Sequence, residues 1–201
     1  MKTAGSLSLS SWLGSSLLLV LAGSASASLC VWRNPDSDIA GIFGKGGSYK
    51  TVFLDISDAQ RQRIEKRLGF ALDSDETQFK FFPVFKGKAP VGTVMTHAGK
   101  GQFGAIEVVV AVVPSDSGVV VKEVRIQRDR EKAKAALRSA KFLSQFKGMG
   151  ADDGFLVSND QSRLKPAAKG AEKASQAVAN AVRKLLVAYD ELGVGPEKAE
   201  K

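Results

Sequence analysis

Four consecutive runs of β-branched and aromatic residues dominate the middle of the chain. Short segments rich in Gly, Pro, Ser, Asp and Lys separate them, including KGKA after the first run and PSDSG after the third. Such turns between strand-like runs are typical of hairpins. The pattern therefore predicts an antiparallel four-stranded meander, with strands at residues 79–85, 90–97, 104–113 and 119–127.

The fourth run predicts how the sheet is covered. Val124 and Ile126 share one face of a strand, while Glu123, Arg125 and Gln127 point to the other. Alternation of this kind is typical of a sheet with one covered face and one solvated face. We therefore expect helices on one side of the meander.

Two segments with hydrophobic residues at helical spacing can supply that cover. They span residues 130–147 and 171–192, and small or apolar residues recur every three or four positions in each. Between them lies a polar segment, residues 148–169, without a strand or helix pattern. Long irregular loops of this kind are often functional.

Helical signals also precede the meander. Residues 34–43 are typical of a short capped helix, and Ser57 to Gln60 form a capping-box sequence for a helix that ends at Gly69. The predicted fold class is therefore α+β: an antiparallel four-stranded meander covered by amphipathic helices, preceded by a short helical N-terminal segment at 28–75. Residues 193–201 are predicted to be a flexible tail.

The first 27 residues have the layout of a secretory signal peptide. Lys2 precedes an apolar run from Trp12 to Ala22, and small residues lead to a cleavage site after Ala27. We expect an exported protein, periplasmic or on the outer face of the membrane. Two alternatives are a retained N-terminal anchor and a lipoprotein acylated at Cys30, which the bulky Leu29 before that cysteine disfavours.

Composition narrows the possible chemistry. The net charge of +8 is spread over predicted helix faces, which favours contact with anionic lipids or acidic partners over nucleic acid in an exported protein. Cys30 and His97 are the only residues of their types, so an intramolecular disulfide is excluded and a zinc site or a hydrolytic triad has no basis. His97 is expected to be an exposed side chain at a strand end.

Two glycine-bearing stretches are the best candidates for a ligand site. GKGQFG at 99–104 enters the third strand, where glycines let a flat ligand or another backbone approach closely. An ordinary tight strand entry explains the same glycines. AKGAEKAS at 168–175 places free backbone N–H groups at a helix N-terminus, which suits an anion such as a phosphate. An ordinary helix start, stabilised by an acidic residue in its first turn and without a ligand, explains the same residues.

The order of these features resembles the FMN-binding domain family. The resemblance rests on KGKAPVGTV, GKGQFGAIEVVVAV, AKFLSQFKG at 140–148 and the Gly-Ala helix start, and covers roughly residues 76–190. The family includes the flavin-carrying subunits of sodium-translocating NADH:quinone reductases and related membrane redox complexes. Its Ser-Gly-Ala-Thr signature aligns with Lys169 to Glu172, followed by Ser175 and the pair Ala177-Val178.

The resemblance implies an FMN site, altered at its key position. In covalent members the Thr hydroxyl is esterified by the FMN phosphate, and Glu172 has no hydroxyl, so any FMN is held non-covalently. A carboxylate beside a phosphate is disfavoured by about 1 kcal/mol at about 4 Å in water, which Lys169 and Lys173 can offset. The predicted cofactor-binding residues are Gly101, Phe103, Gly104, Gln145, Lys169, Gly170, Ala171, Glu172, Lys173 and Ser175.

Two functions follow from the resemblance. The first is an exported FMN-binding electron-transfer module, rather than a stand-alone catalyst, whose partner is a membrane redox complex or an exported electron-transfer protein, with peripheral membrane contact possible. The second is an interaction module that keeps the fold without flavin. The corresponding domain assignment is a signal peptide at 1–27, a helical segment at 28–75, an FMN-binding-like domain at 76–192 and a tail at 193–201.

Overall fold

The structure, a computed structural model, describes residues 35–116, 118–160 and 162–194. The predicted signal peptide, Cys30 and the tail beyond Val194 lie outside the described residues. The helices are α1 (Asp36–Phe43), α2 (Asp58–Leu68), α3 (Lys134–Leu137), α4 (Ala140–Leu143) and α5 (Glu172–Leu192). The strands are β1 (Ser48–Tyr49), β2 (Val52–Asp55), β3 (Gln78–Lys86), β4 (Ala89–Lys100), β5 (Ala105–Ser115) and β6 (Gly118–Arg128).

The fold is α+β, with one antiparallel sheet of six strands. Strands β3 to β6 form a meander in the order β3-β4-β5-β6, and both β1 and β2 pair with β3. The predicted count of four strands is therefore too low. The two additional strands have two and four residues, which is too short for a period-two pattern to stand out from the loop sequence around them.

The segment before the meander is only partly helical. Among its described residues, α1 and α2 are separated by β1 and β2. The capping box of α2 is present: the Ser57 side chain accepts the N–H of Gln60, and the Gln60 side chain accepts the N–H of Ser57. Gly69 ends the helix in the left-handed conformation, with φ +74°.

Helix α5 covers one face of the sheet. Its apolar stripe packs on side chains of β3, β4 and β5 in the larger of two hydrophobic clusters. The opposite face, expected to be solvated, carries the second cluster: Ile39, Ile42 and Phe43 of α1 pack on apolar residues of the central strands. At the β6 end of that face, Asp38 accepts hydrogen bonds from Arg125 (3.4 Å) and Gln127 (2.5 Å), so polar residues that predicted a wet face contact α1 instead.

The predicted helix at 130–147 is interrupted. Ser139 lies between α3 and α4, donates a hydrogen bond to the carbonyl oxygen of Ala136 and accepts the N–H of Phe142. A Ser side chain that caps a new helical turn competes with a continuous helix. The predicted single helix is therefore replaced by three short helical segments: α3, α4 and a 3₁₀ turn at Ser144–Phe146. Leu137, Phe142 and Phe146 still reach the core.

The segment from 148 to 169 contains no helix or named strand among its described residues, as its sequence predicts, but it is not purely a surface loop. Met149, Ala151, Phe155 and Leu164 are buried in the larger cluster. The carbonyl of Met149 accepts the N–H of Val121 at the edge of β6 (2.8 Å). Much of this loop therefore closes the core.

No helix among the described residues has both the length and the hydrophobicity that crossing a bilayer requires.

Candidate functional site

The two predicted halves of the site lie at the same end of the molecule. Helix α5 runs antiparallel to β4: Tyr189, near the end of α5, hydrogen-bonds Thr93, whereas a Cβ on Gly99 would lie 3.2 Å from the carbonyl oxygen of Ala177, near its start. The turn after β4 and the first turn of α5 are consequently neighbours in the fold. No hydrogen bond or ion pair of the described chain joins the turn at 101–104 to residues 169–175.

The turn at 101–104 is held by a carboxylate that the sequence did not single out. Its Gly101 N–H donates to the carbonyl of Gly104 (2.9 Å), and the Phe103 N–H donates to Oε1 of Glu131 (3.0 Å). A Cβ on Gly101 would lie 2.3 Å from the same Oε1. The close approach that Gly101 permits is therefore that of Glu131, within this chain.

Phe103 projects from this turn. Its side chain is 42% exposed, and Nζ of Lys132 lies 4.9 Å from the ring centroid. Gly104 has φ +143°, and a Cβ there would touch the Arg130 side chain at 3.4 Å. The three residues predicted to approach a flavin ring thus form a braced turn with an exposed aromatic tip.

The N-terminus of α5 carries an anion of its own. Glu172 accepts the backbone N–H of Gly170 (3.1 Å), which adopts φ +81°. The pKa of Glu172 is lowered by the backbone N–H groups of Glu172 itself and of Gly170, and further by the charge of Lys169. A carboxylate thus occupies the position at which the family resemblance places a phosphate, and these residues do not fit a flavin phosphate as they stand.

Ser175 and Gln145 have structural partners. The fully buried Ser175 hydroxyl accepts the N–H of Ala167 (3.0 Å). The Gln145 amide pairs with the backbone of Lys165, accepting its N–H (2.8 Å) and donating to its carbonyl (3.2 Å). Both side chains therefore hydrogen-bond to the backbone near the end of the 148–169 loop. Of the remaining predicted residues, Ala171 is buried at the helix cap, and Lys169 and Lys173 are exposed.

Glu131 belongs to a buried polar cluster after β6. Asp129 accepts hydrogen bonds from Nε of Arg138 (2.8 Å) and from the N–H of Glu131 (3.1 Å), and Nη2 of Arg138 forms an ion pair with it at 2.7 Å. The Glu131 residue is only 3% exposed. In the sequence this segment reads RDRE, a charge run that is usually solvated, and only the glycines facing it hinted at a buried partner.

A second buried polar cluster lies between β4 and α5. Lys184 contacts both carboxylate oxygens of Glu76 at 2.8 Å, and Nε2 of His97 lies 3.4 Å from Oε1 of Glu76. Burial, and then the charge of Lys184, lower the pKa of His97 to about 3. The expectation of an exposed His97 at a strand end is therefore wrong, because its side chain lies beside Glu76 and is only 16% exposed.

Other chemistry finds little support in the described part of the chain. No group of three or more His, Cys, Asp or Glu side chains there can hold a metal ion. A small apolar cleft of about 20 Å³ lies near Tyr189 and Thr93, at the opposite end of α5 from Glu172, and has room for about one water molecule.

No family model matches the chain, and no curated protein matches it either. The resemblance to the FMN-binding domain family stays a prediction from the residues that carry it.

Proposed function

We propose that this chain is an exported interaction module that keeps an FMN-binding-domain-like fold without holding flavin. The observation that carries the proposal is the hydrogen bond from the Gly170 N–H to the Glu172 carboxylate, 3.1 Å long. An anion supplied by the chain satisfies the backbone donor and the helix dipole that would attract a phosphate.

Electrostatics strengthens this argument. The lowered pKa of Glu172 means that the carboxylate is ionised at neutral pH. A phosphate entering the same position would have to displace it and then stay beside it. The hydroxyl and amide of Ser175 and Gln145, which the family resemblance assigns to the ligand, are already bonded to the backbone of Ala167 and Lys165. The Gly170 N–H, the Ser175 hydroxyl and the Gln145 amide therefore already have partners within the chain.

The flavin-binding electron-transfer module is the second candidate. It is favoured by the position of the Gly101–Gly104 turn at the same end of the sheet as the start of α5, because a flavin needs its ring and phosphate sites together. In that case the membrane redox complex or exported electron-transfer protein would be its redox partner, and the chemistry would be that of the cofactor.

Titration of free FMN, followed by quenching of its fluorescence, separates the two candidates. We expect the wild-type chain to bind FMN negligibly, and Glu172→Thr to bind it about tenfold more tightly, since a charge-assisted hydrogen bond contributes on the order of 1.5 kcal/mol. Asp58→Thr is the matched control, because it removes an exposed carboxylate from the first turn of another helix, α2, without freeing the Gly170 N–H.

The outcomes distinguish the candidates. Tight binding by the wild-type chain that is weakened by Lys169→Gln or Phe103→Ala would favour the electron-transfer module. Tight binding that none of these substitutions changes would also reject the flavin-less module, and it would place the flavin elsewhere.

A further inference from the structure

We propose that the turn Gly101–Gly104, together with the exposed cations Lys100, Arg130 and Lys132, binds the anionic surface of a lipid bilayer. We call this set of residues the Phe103 tip. The inference rests on the proposed function and deepens it, since it names the kind of surface on which the interaction module docks.

Hydrogen bonds hold the Phe103 tip in one backbone conformation, which exposes one aromatic side chain. Its backbone is closed by the bond from Gly101 to Gly104 and fixed from below by Glu131, whose own segment is anchored by Asp129 and Arg138. Two buried carboxylates thus support a short turn that leaves Phe103 exposed. Rigid presentation lowers the entropy lost when the aromatic ring is buried against a partner.

Charge is separated across the tip. Both acidic residues of the RDRE segment are buried and bonded inwards. Arg130 between them, Lys132 after them and Lys100 at the end of β4 are exposed. None of these three cations forms an ion pair with a described residue. The outward surface around Phe103 is therefore cationic and complements an anionic one.

The backbone of the turn also suits a headgroup environment. A peptide N–H that enters an apolar boundary without a partner is unfavourable. Two of the four N–H groups of the turn, those of Gly101 and Phe103, point inwards to protein acceptors, so the ring can enter the interface without exposing these two. The long stem of Lys132 can keep its ammonium group among the phosphates while Phe103 descends.

A lipid surface fits the tip better than a folded protein does. Stable protein interfaces bury about 800 Å² on each partner around an apolar centre. Phe103 is the one exposed large hydrophobic residue of the tip. The other exposed large hydrophobic residues of the described chain are Phe53, on β2, and Leu156, in a segment hydrogen-bonded to Gln176 of α5. A membrane needs no such area, because each Lys or Arg near an anionic surface contributes about a fivefold gain in binding.

Partitioning of the full chain into lipid vesicles tests the proposal. The vesicles contain phosphatidylglycerol and phosphatidylcholine in equal parts, with pure phosphatidylcholine as the neutral reference. We expect Phe103→Ala to lower partitioning into the anionic vesicles about fivefold, as half the burial of a Phe side chain implies. The double variant Arg130→Gln/Lys132→Gln should lower it about 30-fold, with the effect diminished by salt.

The controls remove the same groups elsewhere. Phe53→Ala deletes another exposed aromatic ring, and Lys66→Gln/Lys147→Gln deletes two exposed cations away from the tip. Each control should change partitioning less than about twofold, because distant charges are screened. All variants share the same N-terminal segment, so its contribution cancels in the ratios, and thermal unfolding checks that each variant is folded.

Equal losses in the tip variants and their controls, or no loss in either, would overturn the proposal. Retention on immobilised poly-glutamate that depends on Phe103, with vesicle binding that does not, would replace the membrane by an acidic protein and overturn it as well. A chain that holds FMN while its vesicle binding depends on the tip would reject the flavin-less function and leave this inference standing.

Discussion

Gly101 shows that a glycine at a strand entry can be interpreted in two ways, as room for a ligand or as room for a side chain of the same chain. Glycine at a strand entry predicts a close approach, and the structure has one, since a Cβ there would lie 2.3 Å from Oε1 of Glu131. The approaching group is a buried carboxylate of the same chain. The glycine by itself therefore indicates a neighbour without telling a ligand from a side chain.

The contact between Gly101 and Glu131 predicts the cost of a single methyl group. Gly101→Ala should lower the free energy of unfolding by about 1–3 kcal/mol, the usual cost of overpacking, because Oε1 and the Gly104 carbonyl leave no room for a Cβ. Gly154→Ala is the control: nothing lies within 4 Å of its Cβ position, and we expect a change within about 0.5 kcal/mol or a small gain. Urea denaturation of both variants measures the difference, and equal stabilities would contradict this packing.

The residues around the candidate site differ in how far the sequence predicts them. A site for a ligand anion at Gly170 is predicted from the helix start, and it stays a prediction; in the structure the Gly170 N–H is bonded to the side chain of Glu172. Ser175 and Gln145 could be placed near it but not assigned a role, since their partners are backbone groups of a loop whose path no local pattern predicts. Glu131 could not be predicted, because its burial depends on tertiary packing alone.

Among the elements, β4 and α5 pack around an ion pair rather than only apolar side chains. Lys184 and Glu76 satisfy each other at 2.8 Å, which leaves the neighbouring His97 beside a carboxylate whose charge is already balanced. Burial and the Lys184 charge then keep the imidazole neutral, with its pKa lowered to about 3.

A pH dependence of stability follows from His97. In the unfolded chain its pKa returns to about 6.5, so below that pH the unfolded state takes up a proton that the folded state refuses. This contribution is fully present above the unfolded pKa and is lost as the pH falls towards 3, by up to about 1.4 kcal/mol per pH unit. Urea denaturation between about pH 7 and about pH 5 should show a steeper loss in the wild type than in His97→Gln. Parallel profiles would mean that His97 is accessible to protons in the folded state.

The elements also show where pattern recognition ends. The strands of the meander and α5 could be predicted because each is long enough to repeat its period several times. The two short strands before α2 could not be predicted. The break at Ser139 could not be predicted either, because the apolar stripe continues across it from Leu137 to Phe146, whereas the helix is interrupted where the Ser139 hydroxyl accepts the N–H of Phe142. The sequence did not predict that α1 covers the second face of the sheet. This short helix contacts that face through Asp38 and three apolar residues, and these contacts are tertiary.

The molecule as a whole combines a six-stranded antiparallel sheet with a helix start that carries its own anion, Glu172. Its described surface combines exposed cations with one rigid aromatic tip at the same end. These features together favour docking over cofactor chemistry. Whether the chain carries flavin at all is therefore the decisive question.

An absorbance spectrum of the chain purified from the exported fraction, recorded before and after denaturation, tests this most directly. Bound flavin is yellow, and denaturation separates covalent from non-covalent attachment. We predict no flavin absorbance in either state, because the Glu172 carboxylate holds the Gly170 N–H that a phosphate would need. Flavin released by denaturation, or flavin retained on the denatured chain and mapped to residues 169–178, would contradict the account.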